Sequence, residues 1–384
     1  MELQTIQYNM KDGWSTEMLP DLDSVQTLVL VFGAPEFQKQ TAPFKELMQK
    51  YPTSTMIGCS TAGEIFDTRI NDLSLSVAII KFKDAKIKAV KTLLKSASES
   101  YNAGKNIGDS LQGSDLCSIF VLSDGLHVNG SELVKGLNIS TGEKIVITGG
   151  LAGDGKRFES TWTVYNGEIS DNTVVALGIY GKNIKISHAS KGGWDIFGPE
   201  RLVTRSEGNI LYELDGRPAL KLYKEYLGQR ASELPASGLL YPLSIRSNQE
   251  DTTPLVRTIL SVDEKAQSLT FAGDIPQGYY AQLMRANFDR LISSAGETGE
   301  TATMRSFGKS IKDTKNGLCM AISCVGRRLL LGERTEEELE SLSENLPQGT
   351  KIVGFYSYGE LSPYATGTCH LHNQTMTITT IYEE

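Results

Sequence analysis

The chain has 384 residues, of which 40% are hydrophobic and 22% charged, an ordinary globular balance that excludes a largely disordered or low-complexity protein and leaves room for two or three domains. Its 46 acidic residues outnumber the 38 basic ones, for a net charge of −8, the wrong sign for gripping nucleic acid through overall charge. The opening MELQTIQYNMKDGW lacks the basic start and apolar stretch of a secretory signal, and no run of 18 apolar residues occurs. Cys59, Cys117, Cys319, Cys324 and Cys369 are scattered, without a C-x-x-C pair. A cytoplasmic protein that neither inserts in a membrane nor binds nucleic acid is expected.

In chain order, TLVLVFG (27–33) predicts a buried strand, a helical stretch follows around Phe44, Leu47 and Met48, and TMIGCSTAGEI (55–65) predicts a strand running into a glycine turn. The plan recurs in SIFVLSDG (118–125), the helical Ser131 to Leu137 and KIVITGGLAGDG (144–155). It recurs again in LCMAISCVG (318–326), TEEELESLSENL (335–346) and KIVGFYSYGEL (351–361). Each segment ends in glycine plus an acid: Gly63-Glu64, Gly153-Asp154 and Gly359-Glu360. Such turns occur in many α/β chains, but the flanking order also repeats: 84–187 and 268–383 both run as strand, helix, strand, helix, strand, glycine turn and hairpin strands. The expected fold class is therefore α/β, with two related modules of mixed β-sheet, packed helices and an internal duplication.

Helix 101–111 belongs to the first half. In the second half, Tyr280, Leu283, Met284, Phe288, Leu291 and Ala295 keep i, i+3, i+4 spacing, which predicts a helix over 279–295. Asp215-Gly216, Pro218 and Gly228 predict a strand, a turn and a helix over 209–228. Thr335 three residues before Glu338 suggests a capping box, and Glu336 to Glu338 read as a solvated helix start. The strands 73–82, 173–181 and 372–383 alternate in character and are expected to be antiparallel with one face covered. Residues 191–205 show no period and fall near the link between halves.

Glycine turns at strand ends let backbone N–H groups approach an anion. None here is a P-loop or a dinucleotide fingerprint. Cys59 at a strand end raises a nucleophile reading, a Cys59-dependent hydrolase, against the plainer one of a small buried hydrophobe. No complete catalytic constellation is visible. His370 and His372 share one face of a strand but lack a third ligand, so no metal site is assigned.

With GCSTAGEI, GGLAGDG, LDGRPALKLYKEYLG, FAGDIPQG, SCVGRRLLLG, FYSYGELSP and LHNQTMTIT in order, the chain resembles a FIST protein over about residues 25 to 380. The resemblance implies an N-terminal module over 25–216 and a C-terminal module over 217–380. It implies a sensory module of signal transduction, without enzymatic activity, that binds a small molecule of the amino-acid or haem class and acts on a separate histidine kinase or cyclase. Some relatives resemble haem-binding nitric oxide sensors. Matching the family motifs, the ligand-binding candidates are Cys59, Ser60, Thr61, Gly63, Glu64, Gly149, Gly150, Gly153 and Asp154, then Arg327, Tyr358, Gly359, Glu360, His372 and Asn373. For haem, His188 or His372 would be the axial donor, although His188 stands further from Trp194 than in that branch. Arg327, Glu360 and His372 are expected to face one pocket, or else Arg327 and Glu360 to close the sheet edge as a salt bridge.

Overall fold

The computed structural model describes residues 1–251, 253–308, 316–364 and 367–383. It is a mixed α/β protein, and the repeated plan builds three units. The first has strands Glu2–Asn9, Thr27–Gly33, Thr55–Ser60 and Ser74–Lys81 with helix Ala42–Lys50. The second has Lys86–Leu93, Leu116–Ser123, Val146–Leu151 and Thr173–Tyr180 with helices Ser100–Leu111 and Gly130–Thr141. The third has Ile184–Lys191, Gly317–Cys324, Thr350–Ser357 and Met376–Glu383 with helices Phe288–Phe307 and Thr335–Glu344. In every unit the two central strands are parallel, because a helix crosses between them, and the last strand returns antiparallel beside the first of that pair.

Each unit lends a hairpin to another. Glu64–Phe66 adds to the third unit's Thr350–Ser357, Thr163–Tyr165 to the first unit's Thr55–Ser60, and Gly359–Pro363 to the second unit's Val146–Leu151. The exchange closes a three-membered cycle and covers strand edges that would otherwise offer unpaired backbone. One close approach recurs in all three sheets: Gly58 lies opposite Val31, Gly149 opposite Val121, and Gly354 opposite Ala321. A Cβ at these glycines would sit 1.9, 1.8 and 1.8 Å from the facing carbonyl oxygen.

Alternation along the central strands decides the core. Leu28, Leu30, Phe32, Phe120, Leu122 and Met320 point to a shared interior where the sheets meet. Their neighbours Val29 and Val31 pack outward on Phe44 and Leu47, and Ile119, Val121, Cys319 and Ala321 pack on the helices of the second and third units. The returning strands are antiparallel as expected but buried on both faces, since the shared interior covers the side that was expected to be open. Among the described residues no helix is long and apolar enough to cross a membrane.

Two local expectations change. The span 279–295 is a strand, Tyr280–Arg285, followed by helix Phe288–Phe307, whose start is fixed by the Asn287 side chain accepting from the Arg290 amide. The burial of 280–283 alternates, so the period of two overrides the apparent helical spacing. The helix from Thr335 has no capping box: Thr335 is its first residue, and its hydroxyl donates to the Gly332 carbonyl.

Residues 195–285 form an insertion between the third unit's first strand and helix Phe288–Phe307. Its antiparallel strands pack around Leu211, Leu220, Leu269 and Phe271. The strand–turn–helix read at 209–228 is present, with positive φ at Asp215, Gly216 and Gly228. The span 191–205 carries the chain from strand Ile184–Lys191 into this insertion.

Candidate functional site

Each unit makes a tight turn before its returning strand: Asp72-Leu73, Asp171-Asn172 and Asn373-Gln374. The sheet register makes them equivalent, since Leu75, Val174 and Met376 pair with Gly33, Ser123 and Ser323. The second residue of each has positive φ, at 56°, 50° and 62°. The first turn is open to solvent, with Asp72 paired to Arg328 at 2.7 Å. In the second, Asp171 is exposed and the Asn172 amide donates to Asp124.

The third turn lies beside the insertion, and both of its side chains are completely buried. Neither the Asn373 nor the Gln374 side-chain amide has a hydrogen-bond partner among the described residues. Trp194, at the start of the insertion, donates to the Gln374 carbonyl at 2.9 Å. The Gln374 amide lies over Gly326, where a Cβ would come within 2.6 Å of it.

Asn373 lines a cavity of about 620 Å³ between the third unit and the insertion. The insertion supplies Leu234, Pro235, Leu239 and Ile259, and the third unit supplies Val325 and Leu329. Thr258, whose buried hydroxyl also lacks a partner, and Cys324, whose thiol burial pushes up, complete the inner wall. Phe158 and Tyr358 form one side, with rings stacked at 4.4 Å.

That side is fastened from the second unit. Asp154 accepts from the amides of Phe158, Glu159 and Ser160 at 2.9 Å each, and from the Tyr358 hydroxyl. Burial opposes its ionisation, but the Tyr358 and amide hydrogen bonds outweigh it and hold the carboxyl below its usual range. Asp154 thus positions Phe158 and Tyr358 at the cavity from a loop of another unit.

The other candidates fall elsewhere. Cys59 sits in the shared interior, and burial drives its thiol well above the usual value, which disfavours the thiolate that a nucleophile needs. Ser60 accepts from the Trp162 amide through its hydroxyl and from Gly153 through its carbonyl. Gly149 and Gly150 are inside strand Val146–Leu151, and Gly359 abuts Leu371. Thr61, Gly63, Glu64 and Asp154 line a separate surface cleft of about 270 Å³.

Glu64 accepts from Thr61 and Ser74, and Glu360 accepts from Ser357 at 2.6 Å and from Thr375 at 3.0 Å. Burial pushes both carboxyls up to about 8. Their counterpart in the second unit is Thr163 rather than Asp154: Glu64, Thr163 and Glu360 each pair with the residue following one of the close-approach glycines, or that glycine's structural equivalent plus one. The longer loop 152–162 places Gly153-Asp154 outside the repeat.

Arg327 does not meet Glu360. It is buried against Glu338, which also accepts from Ser323 and Tyr356, and its other donors reach the carbonyls of Gly192 and Leu291. Neither it nor His372 lines the cavity. His372 Nε2 lies 3.0 Å from the Ser362 carbonyl, and burial lowers the ring to about 3. His188 lies 3.4 Å from the Ser362 hydroxyl, and burial together with Arg305 lowers it to about 4. Neither imidazole faces a described cavity, and no histidine lines the 620 Å³ one, so these histidines do not fit an axial haem ligand there.

Sequence reasoning missed Thr258, Phe158 and Cys324 as cavity residues, and it missed the buried Gln374 beside Asn373. Only Gln374 left a signal, as the second member of a turn pair opening on Asp or Asn, as in Asp72-Leu73 and Asp171-Asn172, ahead of an apolar strand.

The FIST N domain model matches residues 27–217 and the FIST C domain model residues 219–363. An uncharacterized protein of Methanocaldococcus jannaschii is 24% identical over 91% of this chain and 73% of its own length. A crystal structure of a cyanuric acid hydrolase from A. caulinodans aligns with 10% identity over 78% of this chain and 99% of that one, at a TM-score of 0.19, too low to bear on fold or activity. With both domain models in order, the chain belongs to the FIST family, whose domains are in general sensory, small-ligand-binding domains of signal transduction.

Proposed function

We propose that this protein is a sensor whose small ligand occupies the 620 Å³ cavity between the third unit and the insertion, and whose occupied form is read by a separate signalling partner, a histidine kinase or a cyclase. The single observation that carries the reading is the Asn373 side chain. Of three equivalent turns, only this one is buried, and its amide has no partner among the described residues. An unpaired buried amide costs about 1–3 kcal/mol, a penalty that a ligand hydrogen-bonded to it would relieve. The volume suits a drug-sized molecule, and an apolar cleft with a few polar groups is the usual form of such a site.

The cavity joins two bodies of the fold, so a ligand touching both Asn373 and the insertion's Thr258 would tie them together. That gives a partner protein a difference to detect. The test is a thermal-shift screen of small molecules, including amino acids, with an absorption spectrum of protein from haem-supplied cells. A ligand that binds the native state raises the apparent Tm by mass action. The expected result is a stabilising ligand whose effect disappears in Leu239→Trp, which fills the cavity while the protein still unfolds cooperatively. A ligand whose effect survives that substitution, or a Soret band, would place the site elsewhere.

A further inference from the structure

We infer that the ligand is an uncharged molecule with an apolar body and one amide group, such as a fatty primary amide or a lactam, rather than a carboxylate, a phosphate or a free amino acid. The inference rests on the cavity being the ligand site. It follows from which polar side chains line the cavity and which do not.

No lysine, arginine or histidine is among the described residues of its wall. The nearest arginines in sequence are already engaged. Arg257 donates to the carbonyls of Asp274 and Leu371, Arg327 to Glu338, and Arg328 to Asp72 and the Ala62 carbonyl. Among the described residues the one charged side chain on the wall is Glu233, exposed and of the wrong sign for an anion. A carboxylate bound at Asn373 would therefore be buried without a counter-charge, which is far costlier than burying a neutral polar group.

Asn373 carries an acceptor and a donor on one planar group, and neither has a partner among the described residues. A group that answers both at once carries a donor and an acceptor side by side, as a primary amide or the cis amide of a lactam does. Because both ends of the Asn373 amide are open, either orientation of the side chain makes the same pair. The Thr258 hydroxyl, also without a partner among the described residues, can serve the ligand's remaining donor or acceptor. The rest of the ligand meets aliphatic and aromatic surface, and exposed Phe158, Leu260 and Leu329 on the wall continue that surface toward solvent.

The test uses the neutral dye Nile red as a reporter of the cavity in the full-length protein, with matched competitors: octanamide, caprolactam, octanoate and free leucine. Octanamide and caprolactam should displace the dye and raise the Tm, while octanoate and leucine should do so at least ten-fold more weakly. Asn373→Leu should weaken octanamide about ten-fold while Nile red, which needs no amide partner, still binds. Asn373→Asp should weaken it as well, since a carboxylate offers no donor.

Equal or tighter binding of octanoate or leucine through Asn373 would overturn the amide class and leave the cavity as the ligand site. Failure of every competitor to displace a dye that Leu239→Trp excludes would do the same. Binding of dye and amides unaffected by both Leu239→Trp and Asn373→Leu would overturn the cavity reading itself.

Discussion

Arg327 and Glu338 are both completely buried and joined by two hydrogen bonds, from Nε at 2.9 Å and from Nη2 at 2.7 Å to the same carboxylate oxygen. The pair ties together three pieces of chain: helix Thr335–Glu344 through Glu338, helix Phe288–Phe307 through the Leu291 carbonyl, and the approach to the insertion through the Gly192 carbonyl. A buried guanidinium is held only by such a full set of acceptors.

Removing one member should therefore be costly. Glu338→Ala leaves the guanidinium without its counter-charge and is expected to destabilise the protein by about 3–5 kcal/mol in urea unfolding. Glu338→Gln, which keeps an acceptor, should cost less. If both variants unfold at the wild-type midpoint, the pair contributes nothing and the helices are held by apolar packing alone.

The three close-approach glycines give a prediction about the repeat. At Gly58, Gly149 and Gly354 the facing carbonyl oxygen stands under 2 Å from where a Cβ would be, and that oxygen belongs to a backbone held in a central sheet. Alanine at any of the three should cost about 3 kcal/mol or more, because neither strand can withdraw without breaking its ladder. Gly149→Ala adds strain from a φ of 150°. Alanine at Gly142, where a Cβ has open space, is the control for backbone strain alone.

How much of this was legible in the sequence depends on range. The strand–helix–strand plan, the parallel central strands and the turn at Asp215-Gly216 follow from local period and turn chemistry. The hairpin exchange does not, because pairing between Val164 and Gly58 joins residues far apart in sequence and leaves no local pattern. Glu338 stood in a run of three glutamates that read as a solvated helix start. Its neighbours Glu336 and Glu337 are partly exposed, whereas Glu338 shares the buried stripe of Leu342 one turn on. Tyr358 and Asn373 were marked by motif resemblance and do reach one cavity, but Thr258 and Leu239 come from an insertion whose docking no period predicts.

Stability should fall as pH rises from about 6.5 to 8. Glu64 and Glu360 titrate near 8 when folded and in the ordinary carboxyl range when unfolded, so between those values the native state holds protons that the unfolded chain releases. Their contribution is complete at low pH and lost as pH passes 8. Below about 6.5 His188 and His372 act oppositely, because the unfolded imidazoles then take up protons that the buried ones refuse, so stability falls as pH drops. The clean window is therefore 6.5 to 8, with a slope of up to about 1.4 kcal/mol per pH unit for each carboxyl. Glu360→Gln should flatten the dependence of Tm on pH in that window, and an unchanged slope would show that Glu360 ionises at its ordinary value.

Asn373→Leu sets stability against function. Leucine is close to asparagine in size and shape, and the wall around position 373 is largely apolar, so the substitution removes an unpaired amide without opening a hole. The ligand-free protein should gain about 1 kcal/mol, because a buried polar group without a partner costs more than an apolar one in the same place. The same change should reduce the rise in Tm that a given concentration of ligand produces, as a roughly ten-fold weaker affinity requires. Core asparagines kept only for packing would show neither effect, and one held by protein partners would show a loss of stability on replacement. A gain in stability combined with a weakened ligand response is the signature of a polar group maintained for binding at the expense of the fold. Measuring both quantities on one variant separates the possibilities: a destabilised Asn373→Leu protein would mean that the amide is satisfied within the fold, and the carrying observation for the ligand site would fail.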